Sequence, residues 1–394
     1  MSDVMVWSLI IGPLILAMYT YIGYPLILRL LARFERVSDQ RSGEHDWPMV
    51  SITLAAYNEE GQIRGTIENL LEIDYPTDRR EIVVVSDAST DRTDEIVSEY
   101  LNRGVKLIRA PERGGKGAAE AAAAPHLRGE VIVNTDASVR IRPDALKPLI
   151  ETFAHPAVGL ASGRDVSVSR LDDDVNLGES GYVGYEMWIR ALETRVSGIV
   201  GASGCFYAIR AHLHRAPLPA SLSRDFASAM ITREHGYRSV SVDEAICLVP
   251  RAGSLGREYR RKVRTITRGM RTLWYKRRLL DPARFGLFAW MLFSHKVCRW
   301  LVPWAGLAAV VGIVAASTTM EWAAWASFGI GLGSVLAGAG WLLKDRPRVP
   351  RLFSVPAFLL AGNAAAIHAG MRVLRGGQDA VWEPTRRDAV AAAR

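Results

Sequence analysis

The chain has 394 residues, enough for two or three domains, and 49% of them are hydrophobic. Its formal net charge of +8 is typical of proteins that bind nucleic acid or an anionic membrane surface. Four uncharged segments reach the roughly 20 residues needed to cross a bilayer, so the sequence favours the membrane, and we expect no nucleic-acid partner.

The first apolar segment, residues 4–28, predicts an N-terminal transmembrane anchor over residues 1–32. Its apolar run is too long for a typical signal peptide, and Arg29 and Arg33 follow it directly. We therefore expect this segment to anchor the chain in the membrane.

Residues 33–283 alternate between short β-branched runs and segments with helical spacing. Strands are predicted at 50–55, 81–85, 105–108, 131–133, 158–161, 206–209 and 239–242, and helices at 59–71, 91–101, 116–124, 143–153, 181–195 and 225–235. This alternation predicts an α/β domain with a mostly parallel, mixed sheet flanked by helices. A basic amphipathic helix at 257–278 then leads to the membrane-rich end.

Two of the predicted strands stop at an aspartate that small polar residues follow. Asp87 ends the run at 81–85, and Asp136 ends the run at 131–133. Ligands of open α/β sheets bind outside the carboxyl ends of such buried strands. Two carboxylates there predict a site for a hard cation and for the phosphates that it carries. The alternative is that each aspartate only caps the next helix, which the sequence favours for Asp91.

Two further motifs accompany these strand ends. Tyr57 and Glu59 follow the first strand and offer a ring to stack on a base and a carboxylate to bind a ribose, although the same motif also suits a helix start. The glycine-rich loop 113–117 contains Lys116, and both features suit a phosphate. The loop is not a Walker A motif, because Ala110 stands where the first glycine is required. No GxGxxG motif follows the first strand, which argues against a dinucleotide dehydrogenase.

The order of these motifs between about residues 50 and 274 resembles the membrane-bound family 2 glycosyltransferases, which have a GT-A fold. The resemblance implies that Tyr57, Glu59 and Asp87 contact the nucleotide of a nucleotide diphosphate sugar. It also implies that Lys116 approaches the diphosphate of that donor.

The same resemblance makes Asp136 the first aspartate of the DxD motif, which would hold a divalent cation, Mg²⁺ or Mn²⁺. The sequence departs from the family at the third position, where Ser138 replaces the second aspartate. A single carboxylate predicts a weaker metal site that water or the donor diphosphate completes.

The acceptor side of the family is also represented. Gly204 lies in a segment that resembles the acceptor-side strand, and Arg224 and Asp225 stand where the family has an acidic pair before a helix. Asp225 would then be the general base that takes the proton of the acceptor hydroxyl. The alternative is that Asp225 is a helix N-cap. Glu186, on the predicted aromatic helix, is a candidate for the acceptor groove.

Residues 261–265 align with the Gln-x-x-Arg-Trp motif of processive polymer synthases. Arg264 is the only residue of that motif that this chain retains, and Arg261 stands in place of the glutamine. Cations at these positions suit a departing nucleotide diphosphate, so both arginines are predicted donor contacts. The lost glutamine and tryptophan argue against processive synthesis.

The C-terminal region, residues 284–394, is predicted to be membrane-associated. An interfacial helix at 285–297 precedes spans at about 300–320, 322–343 and 352–371 and a tail. The basic loop 344–351 is expected in the cytosol by the positive-inside rule, which places the domain 33–283 there as well. The side of the membrane on which the tail lies stays open.

The sequence thus predicts an inverting glycosyltransferase, multi-pass in the bacterial inner membrane with its catalytic domain in the cytosol. It would use a UDP-linked donor, contact membrane lipids and act on a lipid-linked or polysaccharide acceptor. One alternative is a processive polysaccharide synthase that extrudes its product. The other is a non-catalytic membrane protein that binds a nucleotide sugar.

Overall fold

A computed structural model describes residues 3–34, 46–168, 177–250, 254–344, 346 and 349–376, and the predicted tail lies outside them. The strands are β1 (Val50–Ala56), β2 (Arg80–Ser86), β3 (Val105–Arg109), β4 (Val131–Asp136), β5 (Arg140–Ile141), β6 (Val158–Val168), β7 (Phe206–Arg210) and β8 (Arg238–Pro250).

The α-helices are α1 (Asp3–Met18), α2 (Tyr24–Leu31), α3 (Ile63–Leu71), α4 (Thr93–Ser98), α5 (Lys116–Ala123), α6 (Leu146–Glu151), α7 (Leu177–Val196), α8 (Ala211–His214), α9 (Arg224–Glu234), α10 (Leu255–Tyr275), α11 (Pro282–Phe285), α12 (Leu287–Leu292), α13 (Arg299–Ala316), α14 (Glu321–Leu342) and α15 (Arg351–Leu374). Two π-helical segments, Tyr19–Gly23 and Phe293–Cys298, join α1 to α2 and α12 to α13. Short 3₁₀ turns lie at Thr77–Arg79, Leu101–Arg103, Ala124–His126, Thr152–Ala154 and Arg277–Leu280.

The eight strands form one mixed sheet in the order β3-β2-β1-β4-β7-β6-β8-β5. Four of the seven pairings are parallel, including all three among β1 to β4. The register places Ala56 of β1 beside Ser86 of β2, and Ala55 beside Asp136 of β4. The carboxyl ends of these three strands therefore meet at one edge, as the sequence predicted.

Helices cover both faces of the sheet. On one face, β1 and β2 pack against α3, α4 and α6 through residues such as Ile52, Ile67 and Leu149. On the other face, Val83 and Ile132 pack against residues of α5 and α9. Because the parallel strands are buried on both faces, their β-branched runs show no alternation with polar residues.

A third apolar core joins the sheet domain to α2, which lies at the end of the first long apolar helical segment. Tyr24 of α2 packs with Ile189 of α7, Phe226 of α9 and Met291 of α12. The start of α9 is therefore fixed against helices that belong to the membrane region.

Four helices are long and apolar enough to cross a membrane: Val4–Leu31, Leu287–Ala316, Glu321–Leu342 and Arg351–Leu374. The structure differs from the predicted interfacial helix at 285–297, because α12, the π-helical segment and α13 continue as one helix. Lys296 and Arg299 suggested a break there. Instead, Arg299 Nη1 lies 2.6 Å from Glu186 Oε2, so its charge is paired inside the protein.

Candidate functional site

A cavity of about 600 Å³ lies between the sheet edge and the membrane helices. Eight of the predicted site residues line it: Lys116, Asp136, Glu186, Gly204, Arg224, Asp225, Arg261 and Arg264. The other four, Tyr57, Glu59, Asp87 and Ser138, are not among the lining residues in the described part of the chain. The predicted residues thus divide into a cavity group and a group around it.

Lys116 connects the cavity residues. Its Nζ lies 2.5 Å from Asp136 Oδ1 at the end of β4 and donates to the carbonyl oxygen of Gly204 at 3.3 Å. A Cβ added at Gly204 would lie 3.0 Å from Asp225 Oδ2, so this glycine lets the backbone approach the Asp225 carboxylate. One chain of contacts therefore runs from Asp136 through Lys116 and Gly204 to Asp225.

Asp225 stands in the first turn of α9, and Ser223 and the helix α10 fix the chain that leads into this turn. Ser223 Oγ donates to Asp225 Oδ1 at 2.6 Å. From α10, Arg268 donates to the carbonyl oxygens of Ser221 and Leu222 at 3.2 and 2.8 Å. Thr272 Oγ1 accepts the Ser223 N–H at 2.9 Å. The basic amphipathic helix thus positions the predicted general base.

A buried carboxylate that sequence reasoning missed lies beneath Lys116. Glu120 is 3% exposed, with its Oε1 3.8 Å from Lys116 Nζ and its Oε2 3.3 Å from Arg224 Nε. Burial raises the pKa of Glu120 despite these two cations. The spacing from Lys116 to Glu120 along α5 was a signal, since residues four apart share a helix face. Arg224, expected near the acceptor, is held by this carboxylate.

The charge of Lys116 is stabilised by the same neighbours. Burial alone would lower the pKa of Lys116, but Asp136 and Glu120 outweigh burial and raise it above the ordinary value. Lys116 therefore stays an ammonium group at neutral pH. A positive charge at Lys116 suits its predicted role as a contact of the donor diphosphate.

Asp87 is fully buried, and its carboxylate holds the glycine-rich loop. Oδ1 accepts the N–H of Gly114 at 2.9 Å, and Oδ2 accepts the N–H of Gly115 at 2.8 Å. The predicted nucleotide contact thus fixes the backbone directly before Lys116. The residues after β1 and β2, Asn58 and Ala88, have φ of 52° and 56°, a strained left-handed conformation of the kind that clusters at functional sites.

Tyr57 lies beside this loop, and both Tyr57 and Glu59 are already engaged by other side chains. The Arg113 guanidinium lies 3.9 Å from the ring centroid of Tyr57. The Glu59 carboxylate accepts a hydrogen bond from Gln62 and is buried. The structure therefore brings Tyr57 to the loop that precedes Lys116, and keeps Glu59 at the start of α3.

The arginines of α10 reach the cavity from the membrane side. Arg261 donates from Nε and Nη2 to the buried Glu258 carboxylate at 2.7 and 2.8 Å, so its position is fixed. Lys262 Nζ lies 4.1 Å from the ring centroid of Phe358 on α15. Arg261 and Arg264 both line the cavity, on a helix that packs against the last apolar helix, and their contact with a donor stays a prediction.

Few side chains at the cavity are placed to bind a metal ion together. Among the described residues, no group of three or more His, Cys, Asp or Glu side chains could hold a metal ion. Asp136 supplies one carboxylate at the cavity, and Ser138 follows it outside the lining. This set fits Mg²⁺ or Mn²⁺ in the manner usual for phosphate substrates, with one or two carboxylates and with phosphate oxygens and water as the other ligands.

Asp165, on the extended part of β6, also lines the cavity and was not predicted. Its oxygens accept from Ser203 Oγ at 2.7 Å, and Oδ1 accepts from Cys247 Sγ at 3.2 Å. Sequence reasoning missed Asp165 because this part of β6 has no apolar run to identify it as a strand.

The chain is similar in sequence and in fold to known glycosyltransferases. The model of the family described as Glycosyl transferase family 2 matches residues 51–205. A beta-monoglucosyldiacylglycerol synthase of Nostoc sp. is 28% identical over 189 residues, 47% of this chain and 40% of the synthase. A poly-beta-1,6-N-acetyl-D-glucosamine synthase of Staphylococcus epidermidis is 27% identical over 158 residues, 39% of this chain and 38% of that synthase. The chain thus matches less than half the length of these relatives.

Among solved structures, a mannosyltransferase from Pyrobaculum calidifontis, in complex with GDP-Man and Mn²⁺, superposes with a TM-score of 0.71. The superposition covers 93% of this chain and 98% of that chain at 22% sequence identity. At this identity the likeness shows the fold, and it confirms the predicted architecture.

Proposed function

The chain carries a family 2 glycosyltransferase domain with a GT-A fold, and from this premise we propose that it transfers a sugar from a nucleotide diphosphate sugar to a lipid-linked or polysaccharide acceptor. The observation that carries the proposal is the cavity in which Asp136 and Asp225 are joined through Lys116 and Gly204. A donor-side cation contact and an acceptor-side base are the two groups that such a transfer requires.

In the proposed reaction, the acceptor hydroxyl oxygen attacks the anomeric carbon of the donor sugar. The bond from that carbon to the diphosphate oxygen breaks, the nucleoside diphosphate leaves, and the hydroxyl proton passes to the Asp225 carboxylate. A single displacement of this kind inverts the anomeric configuration. Lys116, Arg261 and Arg264 offer positive charge to the departing diphosphate.

Asp136 would hold a divalent cation, which neutralises negative charge on the leaving diphosphate when it is bound. The Mn²⁺ in the Pyrobaculum mannosyltransferase supports this assignment. Asp87 would act on the donor through the loop that it fixes, with Tyr57 and Glu59 beside the nucleotide. We expect UDP as the nucleotide.

We also propose that the chain is a multi-pass protein of the bacterial inner membrane with its sheet domain in the cytosol. The four candidate spans support membrane insertion. The relatives named for glycolipid and polysaccharide synthesis support an acceptor at or near the membrane. Nucleotide sugars are cytosolic, so the cavity would receive its donor from that side.

The proposal is tested with the purified full chain in vesicles of a bacterial lipid extract, by measuring nucleoside diphosphate release from UDP-glucose, UDP-N-acetylglucosamine and GDP-mannose. We expect release from at least one donor, and a loss of about 100-fold or more in Asp136→Ala. Asp144→Ala is the matched control, since Asp144 is exposed and forms an ion pair with the exposed Arg142. Binding without turnover of any donor would favour the non-catalytic alternative and overturn the proposal.

A further inference from the structure

A cluster of buried charges forms the membrane-side floor of the cavity. We call it the floor cluster: Glu186, Arg190 and Glu193 of α7, and His295, Lys296 and Arg299 of the helix that spans Leu287–Ala316. Glu186 is at its centre. Its oxygens lie 2.6 Å from Arg299 Nη1, 3.0 Å from His295 Nε2, 3.6 Å from Arg190 Nε and 3.9 Å from Lys296 Nζ.

The floor cluster has more positive than negative charge. Three cations, Arg190, Lys296 and Arg299, surround the carboxylate of Glu186. The second carboxylate of the cluster, Glu193, lies against His295, whose Nδ1 is 2.6 Å from it and whose Nε2 is 3.0 Å from Glu186. The three cations thus outnumber the two carboxylates. A buried excess of positive charge is costly unless an anion joins it.

Arg190 shows where such an anion would bind. The residue is 8% exposed and lines the cavity. Its Nε and Nη1 are buried and make no hydrogen bond to any residue that the structure describes, although Nε lies 3.6 Å from Glu186. Buried polar groups without partners are rare in folded proteins, and a planar guanidinium suits the oxygens of a phosphate.

The candidate membrane helices also contribute to the walls of the same cavity. Tyr21 of the first span, Pro303 of the second and Phe358 and Leu359 of the last all line it. The cluster also touches the start of α9, since Lys296 Nζ lies 5.5 Å from the ring centroid of Phe226, the residue after Asp225. A ligand here would have an anionic group next to an apolar tail and would end close to the proposed base.

We propose that the floor cluster binds the phosphate of an anionic membrane lipid, and that this lipid is the acceptor. The phosphate lies against Arg190 and Lys296, the acyl chains pass between the spans, and a headgroup hydroxyl reaches Asp225. This inference rests on the proposed function and narrows its acceptor to a phosphate-bearing lipid. Neutral diacylglycerol has no anionic group to balance the positive charge of the floor cluster.

The test uses the full chain in detergent and native mass spectrometry, with phosphatidylglycerol, dioleoylglycerol and water-soluble glycerol 3-phosphate as probes. We expect phosphatidylglycerol to bind more tightly than either other probe. Arg190→Gln should weaken phosphatidylglycerol binding at least about tenfold, as expected for the loss of a hydrogen bond to a charged group. Arg190→Lys, which keeps the charge, should restore most of it.

Arg351→Gln is the control for general electrostatic attraction, because Arg351 is exposed at the start of the last apolar helix. UDP binding, measured on the same samples, should be unchanged in Arg190→Gln.

Equal binding of phosphatidylglycerol to wild type and to Arg190→Gln would overturn the inference. Binding of dioleoylglycerol or glycerol 3-phosphate to wild type as tightly as phosphatidylglycerol would overturn it as well. A loss of UDP binding in Arg190→Gln would assign the cluster to the donor and overturn it too. Donor turnover by wild type would leave the proposed function standing in each case.

Discussion

At the scale of single residues, Asp87 has two expected roles: it stabilises the glycine-rich loop, and through that loop it serves the binding of the donor. Both of its oxygens accept backbone N–H groups of the glycine-rich loop, and the carboxylate is fully buried. Asp87→Ala would leave two backbone donors without their acceptor, and for the buried one, the N–H of Gly115, the cost is about 1–3 kcal/mol. We expect a lower melting temperature in detergent, together with a raised KM for the donor.

Asp91→Ala is a suitable comparison, because Asp91 also holds backbone at a strand end, by accepting the N–H of Thr93 at 3.0 Å at the start of α4. It should lower stability but leave the donor KM near the wild-type value. An unchanged donor KM in Asp87→Ala would show that the loop does not serve the donor.

The sequence located Asp136, Lys116 and Asp225 because each stands at an element boundary next to small residues. It could not locate Glu120 or Arg190 in the same way. Both lie within helices, where only the four-residue spacings to Lys116 and Glu186 are visible in the sequence. Their roles also depend on partners that are distant along the chain: Arg224 for Glu120, and the cations Lys296 and Arg299, which share Glu186 with Arg190. Pairing between such distant positions leaves no periodic signal in a single sequence.

At the scale of elements, Glu81 ties together the amino-terminal ends of four strands. Its carboxylate accepts from Lys106 Nζ at 2.7 Å, from Ser51 Oγ at 2.5 Å and from the Arg128 N–H at 2.7 Å. Burial alone would raise the pKa of Glu81, but these hydrogen bonds outweigh burial and lower it from 4.5 to about 2.

The depressed pKa predicts an acid-dependent stability. Above about pH 4.5 the stabilisation by Glu81 is fully present, and it is lost as the pH falls towards about 2. Glu81→Gln should therefore melt at a lower temperature at pH 7 and show a smaller decline between those two pH values. Glu244→Gln, at an exposed position of β8, is the control. Parallel pH profiles for wild type and Glu81→Gln would contradict the assignment.

The packing of the last two apolar helices depends on a glycine. A Cβ at Gly340 would collide with the carbonyl oxygen of Phe353 and lie 2.8 Å from the Cβ of Ala357, whereas a Cβ at Gly338 would meet open space. Gly340→Ala should therefore lower stability by about 1–3 kcal/mol, as overpacking does. Gly338→Ala should leave the melting temperature equal or slightly higher. Equal effects of the two substitutions would contradict the close approach of these helices.

The sequence predicted the order of strands and helices well where strands are buried on both faces. It placed β6 and β8 too short, because the later part of β6 carries polar residues and because Asp243 and Glu244 interrupt the apolar pattern of β8. The two strands continue by pairing with each other, as Asp165 does with Cys247. It also separated an interfacial helix from the following span, because the charges of Lys296 and Arg299 suggested contact with water. Their partner, Glu186, is more than 100 positions away in the chain.

At the scale of the whole molecule, the proposed orientation can be measured directly. In a variant whose three cysteines, Cys205, Cys247 and Cys298, are replaced by serine, a single cysteine is placed at Thr318 or at Glu99. Thr318 lies in the turn between α13 and α14, and Glu99 lies on the sheet domain. A membrane-impermeant maleimide should label Thr318→Cys in intact cells and Glu99→Cys only after permeabilisation. The reverse pattern would place the cavity outside the cytosol.

The account as a whole depends on one cavity in which a donor, held near Lys116 and Asp136, meets an acceptor that Asp225 deprotonates. The most direct measurement is the rate of sugar transfer by Asp225→Asn in lipid vesicles at saturating donor, with Asp94→Asn as the control. Asp94 also stands in the first turn of a helix and forms an ion pair with Arg109. We predict that Asp225→Asn lowers kcat by about 100-fold or more at an unchanged donor KM, while the control stays near wild type. A near wild-type kcat in Asp225→Asn would contradict the account.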